Sequence, residues 1–400
     1  MAEATPEPAE RRIDLDWIRI AAFGLLILYH VGLLYVTWTF HVKSSSRVPG
    51  LEPLMLALNP WRLALLFLVS GTATCFMASK LRAGQLAGLR SARLLPPLIF
   101  GMLVIVAPQA YLQVVDSFGY VGSFGEFYRQ HYLTLPGQFC AGPGGRPPCL
   151  ILPTWNHLWF VIYLWAYSMV LAAILWLAPG LVRRAEAGLA RMLAGPGILL
   201  WPCAVLVVYR VVLFPRFPVT HTLIDDWYAH ALYFSVFMFG FLVARSDAVW
   251  QALEQWRWPA LAGALVAYGL YLVLRRQGLS SELVLAGLRL IYGIDQWCWI
   301  AAVLGFGRRW LSVRDTPARR YLTDAVFPYY IVHQTAIIVA AYGLKSYGLP
   351  AWLEATLVIL ATAATCVLTY EVVRRVGWLR PLFGLKPRGR PVADLAPATR

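Results

Sequence analysis

Charge is what this chain has least of. Asp, Glu, Lys and Arg make up 14% of its 400 residues, against about 25% in a soluble domain. Hydrophobic residues fill 59% of it, and mean hydropathy is +0.60. Apolar runs of about 20 residues recur along the whole length, which excludes a soluble fold and a single anchor on a soluble domain. Familiar catalytic signatures are missing too: there is no P-loop, no GxSxG nucleophile elbow and no HExxH. With no paired-cysteine or histidine-rich tract, no metal is expected. No internal repeat and no second domain is visible. The first apolar run lacks a small-residue cleavage site, so it reads as a retained span and not a signal peptide. Cysteine is sparse. Cys75, Cys203, Cys298 and Cys366 fall in apolar runs, where free thiols behave as small apolar groups. Cys140 and Cys149 are the only two outside such runs, flanking AGPGGRPP. A disulfide between them is predicted, the alternative being two thiols, and it needs an oxidising compartment such as the periplasm.

What charge there is leans to one sign and one side. The formal net charge is +15, which in a membrane protein follows from the gathering of Lys and Arg in cytoplasmic loops, so nucleic acid is not an expected partner. Spans are predicted near 14–37, 54–78, 95–115, 157–178, 198–214, 228–245, 258–275, 284–307, 321–343 and 352–374. With the N-terminus inside, 23 of the 35 Lys and Arg fall in cytoplasmic segments, 8 in outer loops and 4 in spans or at their ends. The chain therefore reads as an all-α integral membrane protein: a bundle of about ten transmembrane helices, both termini cytoplasmic, with a polar cavity inside. Residues 1–13 read as a cytoplasmic tail, 14–374 as the transmembrane domain with its longest outer loop at about 116–156, and 375–400 as a basic cytoplasmic tail. Mobile Pro/Ala-rich ends are expected at 1–10 and 387–400.

The opening span, RRIDLDWIRIAAFGLLILYHVGLLYV (11–36), carries Asp14, Asp16 and Arg19 at one end and His30 in its apolar body. Ionisable groups at membrane depth are costly and count as functional by default. Arg19 and His30 lie eleven residues apart, about three helical turns, on roughly one face and about 16 Å apart along the axis. Plainer readings exist: a buried imidazole satisfied by a neighbouring helix and an arginine snorkelling to the interface. In LRSARLLPP, Arg90 and Arg93 share a helix face ahead of Pro96 and Pro97, which start or kink the helix. Two guanidiniums suit phosphate oxygens, although loop charge bias alone accounts for them. NPWRLALLFLVSG puts Arg62 in the second span, where Asp295 or Glu52 is a candidate partner, and ends in the packing pair Ser70–Gly71. TWNHLWFVIYLW sets Asn156, His157 and Trp159 at an outer mouth, either as an aromatic belt or as a sugar platform. His221, Asp225, Asp226 and His230 are candidates for that same mouth or for an exposed loop. FPYYIVHQ brings Tyr329, Tyr330 and His333 into the ninth span, and Arg289, Tyr292 and Asp295 lie in the eighth. Polar groups on several spans argue for one polar cavity.

Taken in order, these motifs resemble acyltransferase family 3 of bacterial membrane O-acyltransferases. The likeness rests on LDWIR with Arg19 and His30 spaced as Arg-x10-His, FLVSG (67–71), the Arg-x2-Arg pair Arg90/Arg93, HLWFVIYL (157–164) and FPYYIVHQ (327–334), over essentially all 400 residues. HVKS (41–44), WRLALLFLVSG and the ending YEVVRRVGWLRPLFGLKP make it most similar to the succinyltransferase-like branch. Leu66–Phe67–Leu68 stands where the family often has bulky aromatics.

The resemblance implies a multi-pass protein of the bacterial inner membrane. It would move an acyl group, succinyl favoured over acetyl, from cytoplasmic acyl-CoA to a hydroxyl of a periplasmic glucan or other extracytoplasmic glycan. His30 would be the catalytic histidine and general base, with Arg19 and Asp16 as its companions. Arg90, Arg93 and Arg62 would hold the donor, and Arg19 or Arg62 would stabilise the thioester oxyanion. Asn156, His157, Trp159, Tyr330, His333, Arg289 and Asp295 would line the cavity or contact the acceptor. Acyl-CoA is a substrate here, not a permanently bound cofactor. Besides the bilayer, acyl-CoA and the glycan, other glycan-synthesis proteins are expected partners, because an esterase-like extracytoplasmic domain is not appended. The alternative is a secondary transporter of an anionic metabolite or acylated sugar; the missing inverted repeat and the few Gly/Pro-broken segments speak against it.

Overall fold

The computed structural model describes residues 12–134, 137–142, 146–277 and 281–387. Two compact units divide the described chain: the first takes residues of 1–29, 50–88 and 163–323, the second those of 30–49, 89–162 and 324–400. The main helices are α1 (Ile13–Gly32), α2 (Arg62–Ala78), α3 (Ala83–Phe100), α4 (Ala107–Phe118), α5 (Trp159–Leu177), α6 (Pro179–Met192) and α7 (Gly197–Val208). They continue as α8 (Trp227–Val243), α9 (Asp247–Gln255), α10 (Arg257–Arg276), α11 (Glu282–Leu311), α12 (Pro317–Leu344) and α13 (Ala351–Val373). Among the described residues, eight helical segments are long and apolar enough to cross a membrane, and up to ten if each of two bent pairs counts as one span. In those pairs a short charged helix meets an apolar one: α6 joins α7 at 114° and α8 joins α9 at 113°. The chain is an all-α integral membrane protein whose one sheet, among the described residues, is a hairpin of β1 (Gly137–Gly142) and β2 (Arg146–Leu152).

Within the first unit, α2 and α8 pack backbone to backbone. A Cβ on Gly71 would land 1.9 Å from the Phe237 carbonyl oxygen, and one on Gly240 would land 2.0 Å from that of Leu68. Only glycine permits both approaches, and Thr72 Oγ1 uses the closeness to donate to the Gly240 carbonyl at 3.0 Å. The packing role predicted for Gly71 has this geometric cause.

The second unit departs from the sequence reading in three places. First, α1 stops at Gly32 and not near 37. Leu34, Tyr35 and Val36 stay buried, but in a returning loop. Lys43 holds that loop by donating to the carbonyls of Leu33, Val36 and Trp38, and Ser44 Oγ donates to Glu354 at 2.6 Å. Second, α3 begins at Ala83 and carries Pro96 and Pro97 within it. The missing proline N–H groups are absorbed, and hydrogen bonding turns π-helical over Gly101–Val106 before α4. Gly101 matters there because a Cβ would sit 2.5 Å from Leu158 Cδ1. Third, the segment after residue 374 is not all tail. It forms a helical turn at Leu379–Leu382, buries Phe383, and turns at Gly384 (φ +68°) against Phe327. The tails expected at 1–10 and beyond 387 lie outside the described residues.

The outer loop is a small aromatic subdomain. Ala107, Ala110 and Val114 of α4 pack with Phe127, Tyr132 and Leu152. The hairpin sets Cys140 opposite Cys149, and the two are joined by a disulfide with Cα atoms 4.0 Å apart.

Candidate active site

The last turn of α1 delivers His30 into a chain of side chains that belongs wholly to the second unit. Its partner is His333 of α12, with His30 Nδ1 3.0 Å from His333 Nε2. The direction of that bond follows from the next one. His333 Nδ1 lies 2.7 Å from the Tyr330 carbonyl oxygen, which can only accept, so His333 carries its proton on Nδ1 and offers the lone pair of Nε2. His30 Nδ1 must then donate, and neutral His30 keeps its own lone pair on Nε2. An imidazole fixed in one tautomer with a basic nitrogen is the arrangement a general base requires. Phe40 stacks on the His30 ring with centroids 6.2 Å apart.

Around this pair the same accounting assigns every proton. His157 Nε2 donates to the Ile331 carbonyl at 3.1 Å, so Nδ1 accepts from Gln109 Nε2 at 3.4 Å. Gln109 Nε2 also donates to Thr335 at 2.6 Å, while its Oε1 accepts from Gln334 and from Asn156, each at 3.1 Å. Gln334 Nε2 donates to His41 Nε2 at 3.0 Å, and His41 Nδ1 therefore donates to Gln113 Oε1 at 2.6 Å. Tyr330 closes the set by donating its hydroxyl to the His157 carbonyl. His157, His333, Gln109 and Gln334 are all buried, and such groups are tolerated at membrane depth only when paired this way. Asn156 reaches Gln109 from a left-handed backbone (φ 40°), a conformation asparagine adopts more readily than most residues.

Of the residues singled out by sequence, His30, Asn156, His157, Tyr330 and His333 are thus brought together. His41, Gln109, Gln113 and Gln334 were missed. Gln109 and Gln113, one helical turn apart in an apolar run, were the available signal. Trp159 is buried at the start of α5.

The remaining predicted residues fall elsewhere. Asp16 pairs with the buried Arg319, which Asp315 also holds at 2.8 Å. Arg19 lies 3.6 Å from Asp16 and donates to the Thr323 carbonyl at 3.2 Å. These contacts lie within the first unit, at the opposite end of α1 from His30. Arg19 thus keeps the place that the helical spacing predicted, about three turns before His30 on α1. Arg62 pairs with neither Asp295 nor Glu52. It is 2% exposed, its Cζ lies 3.8 Å from the Tyr29 ring centroid, and Nε and Nη1 have no hydrogen-bond partner among the described residues. Arg289, expected in the cavity, reaches the exposed Glu282 at 4.0 Å and is 24% exposed; with the buried Asp295 it belongs to the first unit. Arg90 is buried and Arg93 exposed, three residues apart on α3.

Of the outer-mouth candidates of the sixth span, Asp226 and His230 bond to local partners. Asp226 is fully buried and accepts from Tyr163 at 2.7 Å and from the His221 amide at 2.9 Å. His230 donates to the Leu223 carbonyl at 2.6 Å and accepts from Tyr167 at 3.0 Å. Among the described residues no group of three or more His, Cys, Asp and Glu is arranged to hold a metal ion.

A bundle of apolar helices that holds two histidines hydrogen-bonded in a defined direction has the makings of a membrane-embedded acyltransferase. The chain belongs to acyltransferase family 3, whose acyltransferase domain matches residues 12–371. It is similar to the glucans biosynthesis protein C of Escherichia coli O81 (strain ED1a), at 22% identity over 98% of this chain and 99% of the relative. The protein of that name from Escherichia coli K12 is similar to the same extent, 22% over 98% and 99%. No solved structure matches.

Proposed function

We propose that this protein transfers an acyl group from cytoplasmic acyl-CoA to a hydroxyl of a periplasmic glucan or a related extracytoplasmic glycan, with His30 as the general base. His30 Nε2 takes the hydroxyl proton as that oxygen attacks the thioester carbonyl. Collapse of the tetrahedral adduct breaks the C–S bond, and the departing sulfur recovers the proton from the His30 imidazolium. Throughout, the Nδ1 proton stays on the hydrogen bond to His333, which holds the ring in place. General-base assistance of this kind is worth about 10²–10⁴-fold. Arg90 and Arg93 are the proposed grips on the donor's phosphates. Arg62, a buried cation whose Nε and Nη1 have no hydrogen-bond partner among the described residues, favours a donor bearing a carboxylate, hence succinyl over acetyl.

The observation that carries this reading is the one-way chain from His30 through His333 to the Tyr330 carbonyl. Its test is purified full-length protein in detergent, given acyl-CoA and glucan, with free CoA thiol and acylated glucan measured together. Wild type should release both in step. His30→Ala should release neither while unfolding at the same temperature as wild type; near-normal transfer by that variant would refute the assignment.

A further inference from the structure

The first unit contains a cavity of about 550 Å³ on the side that the loop charges assign to the cytoplasm. Its walls come from the end of α2, the end of α5, the first turns of α6 and the residues following α8. Three arginines from three segments line it, Arg82, Arg183 and Arg245, with Glu186 the one acid among them. None of the three arginine side chains makes an ion pair or hydrogen bond among the described residues, so about two positive charges stand unmatched around one concavity. The flank is of opposite character. Trp176, itself a lining residue, is 75% exposed, and Leu177 and Leu181 are 72% and 62% exposed. The helix that carries Arg183 turns through 114° from its successor, and its basic, amphipathic sequence is that of a helix lying in the membrane interface. A soluble phosphate would gain from the arginines alone. An amphiphile gains from both the arginines and the apolar flank.

We propose that this cavity binds the phosphate of an anionic phospholipid, whose acyl chains run along the Trp176, Leu177 and Leu181 flank. Basic recesses between helices on the cytoplasmic side are suited to such headgroups. The site is distinct from the histidine cluster and does not depend on the acyl-transfer reading.

The test uses full-length protein in neutral detergent, titrated with phosphatidylglycerol or phosphatidylcholine in mixed micelles. Bound lipid is counted by native mass spectrometry and thermal unfolding is followed in parallel. Wild type should retain phosphatidylglycerol in preference and be stabilised by it. The double variant Arg183→Gln/Arg245→Gln should lose roughly thirty-fold in affinity for it, whereas Arg183→Lys/Arg245→Lys should keep most of it. Arg184→Gln/Arg191→Gln, on the same helix but outside the cavity lining, should bind as wild type does. Three outcomes overturn the proposal: equal retention of the two lipids, an equal loss in the Arg184/Arg191 variant, or displacement of phosphatidylglycerol by millimolar ADP or inorganic phosphate. The first and third are read on wild-type protein, so a variant that fails to fold leaves them decisive.

Discussion

His30 and His333 differ in what each can do, although both are imidazoles in one hydrogen-bonded pair. His333 spends Nδ1 on a carbonyl and Nε2 on His30, which leaves it no proton to give or take without breaking the pair. It is a positioning residue. His333→Ala should lower kcat by roughly tenfold or more with KM for acyl-CoA little changed, and His333→Gln, whose amide oxygen can still accept from His30, should recover part of the loss. Equal activity of wild type and His333→Ala would remove the histidine from the mechanism. His41, in the loop after α1, makes a pH prediction. Desolvation of its ring holds it below its ordinary value of 6.5, and its neutral form uses both nitrogens, one donating to Gln113 and one accepting from Gln334. A proton on the second nitrogen would face the Gln334 amide as a second donor. The unfolded chain therefore takes up the proton first as pH falls, so stability is full above about pH 6.5 and drops below it. Thermal unfolding should move to lower temperature between about pH 7.5 and 5.5, and His41→Gln should flatten that slope.

At the scale of single elements, the α2–α8 contact and the loop after α1 rest on opposite devices. The helices meet because side chains are absent at Gly71 and Gly240, which lets backbone touch backbone. Gly71→Val puts atoms where the Phe237 carbonyl already stands, and a helix backbone cannot yield by 1 Å without giving up its own hydrogen bonds. A cost of about 1–3 kcal/mol or more is expected, read as a lower unfolding temperature and poor recovery from the membrane; full stability would show that the two helices are farther apart. The loop is held by a side chain that is present, since Lys43 gathers the carbonyls of Leu33, Val36 and Trp38 beyond the end of α1. That is why HVKS, a soft sequence feature, has a firm structural use: lysine anchors the loop and histidine joins the polar cluster.

For the whole molecule, orientation is the property with the sharpest test. The orientation proposed from the loop charges, both ends inside, puts the Cys140–Cys149 hairpin on the outer side, and Cys75, Cys203, Cys298 and Cys366 are the remaining thiols. An impermeant thiol reagent applied to intact spheroplasts should label this protein only after mild reduction, at Cys140 and Cys149. Labelling of that pair from the inner face alone would invert the topology. The helical membrane class was legible in the chain because burial in lipid demands long apolar runs and closed backbone hydrogen bonding, both of which are local. His30, His157 and His333 were legible for the same reason, since ionisable groups stand out against an apolar background. Two kinds of decision needed the tertiary structure. One was which polar group meets which: Gln109 and Gln334 join residues from four segments, Arg19 goes to Asp16 and Thr323, and Arg62 lies on a tyrosine ring. The other was where apolar runs stop being spans, as at Gly32, or continue through prolines, as at Pro96 and Pro97. Hydropathy fixes that a residue is buried, but hydrogen bonds are directional and span only about 3 Å, so their partners are chosen by packing that no local stretch of sequence encodes.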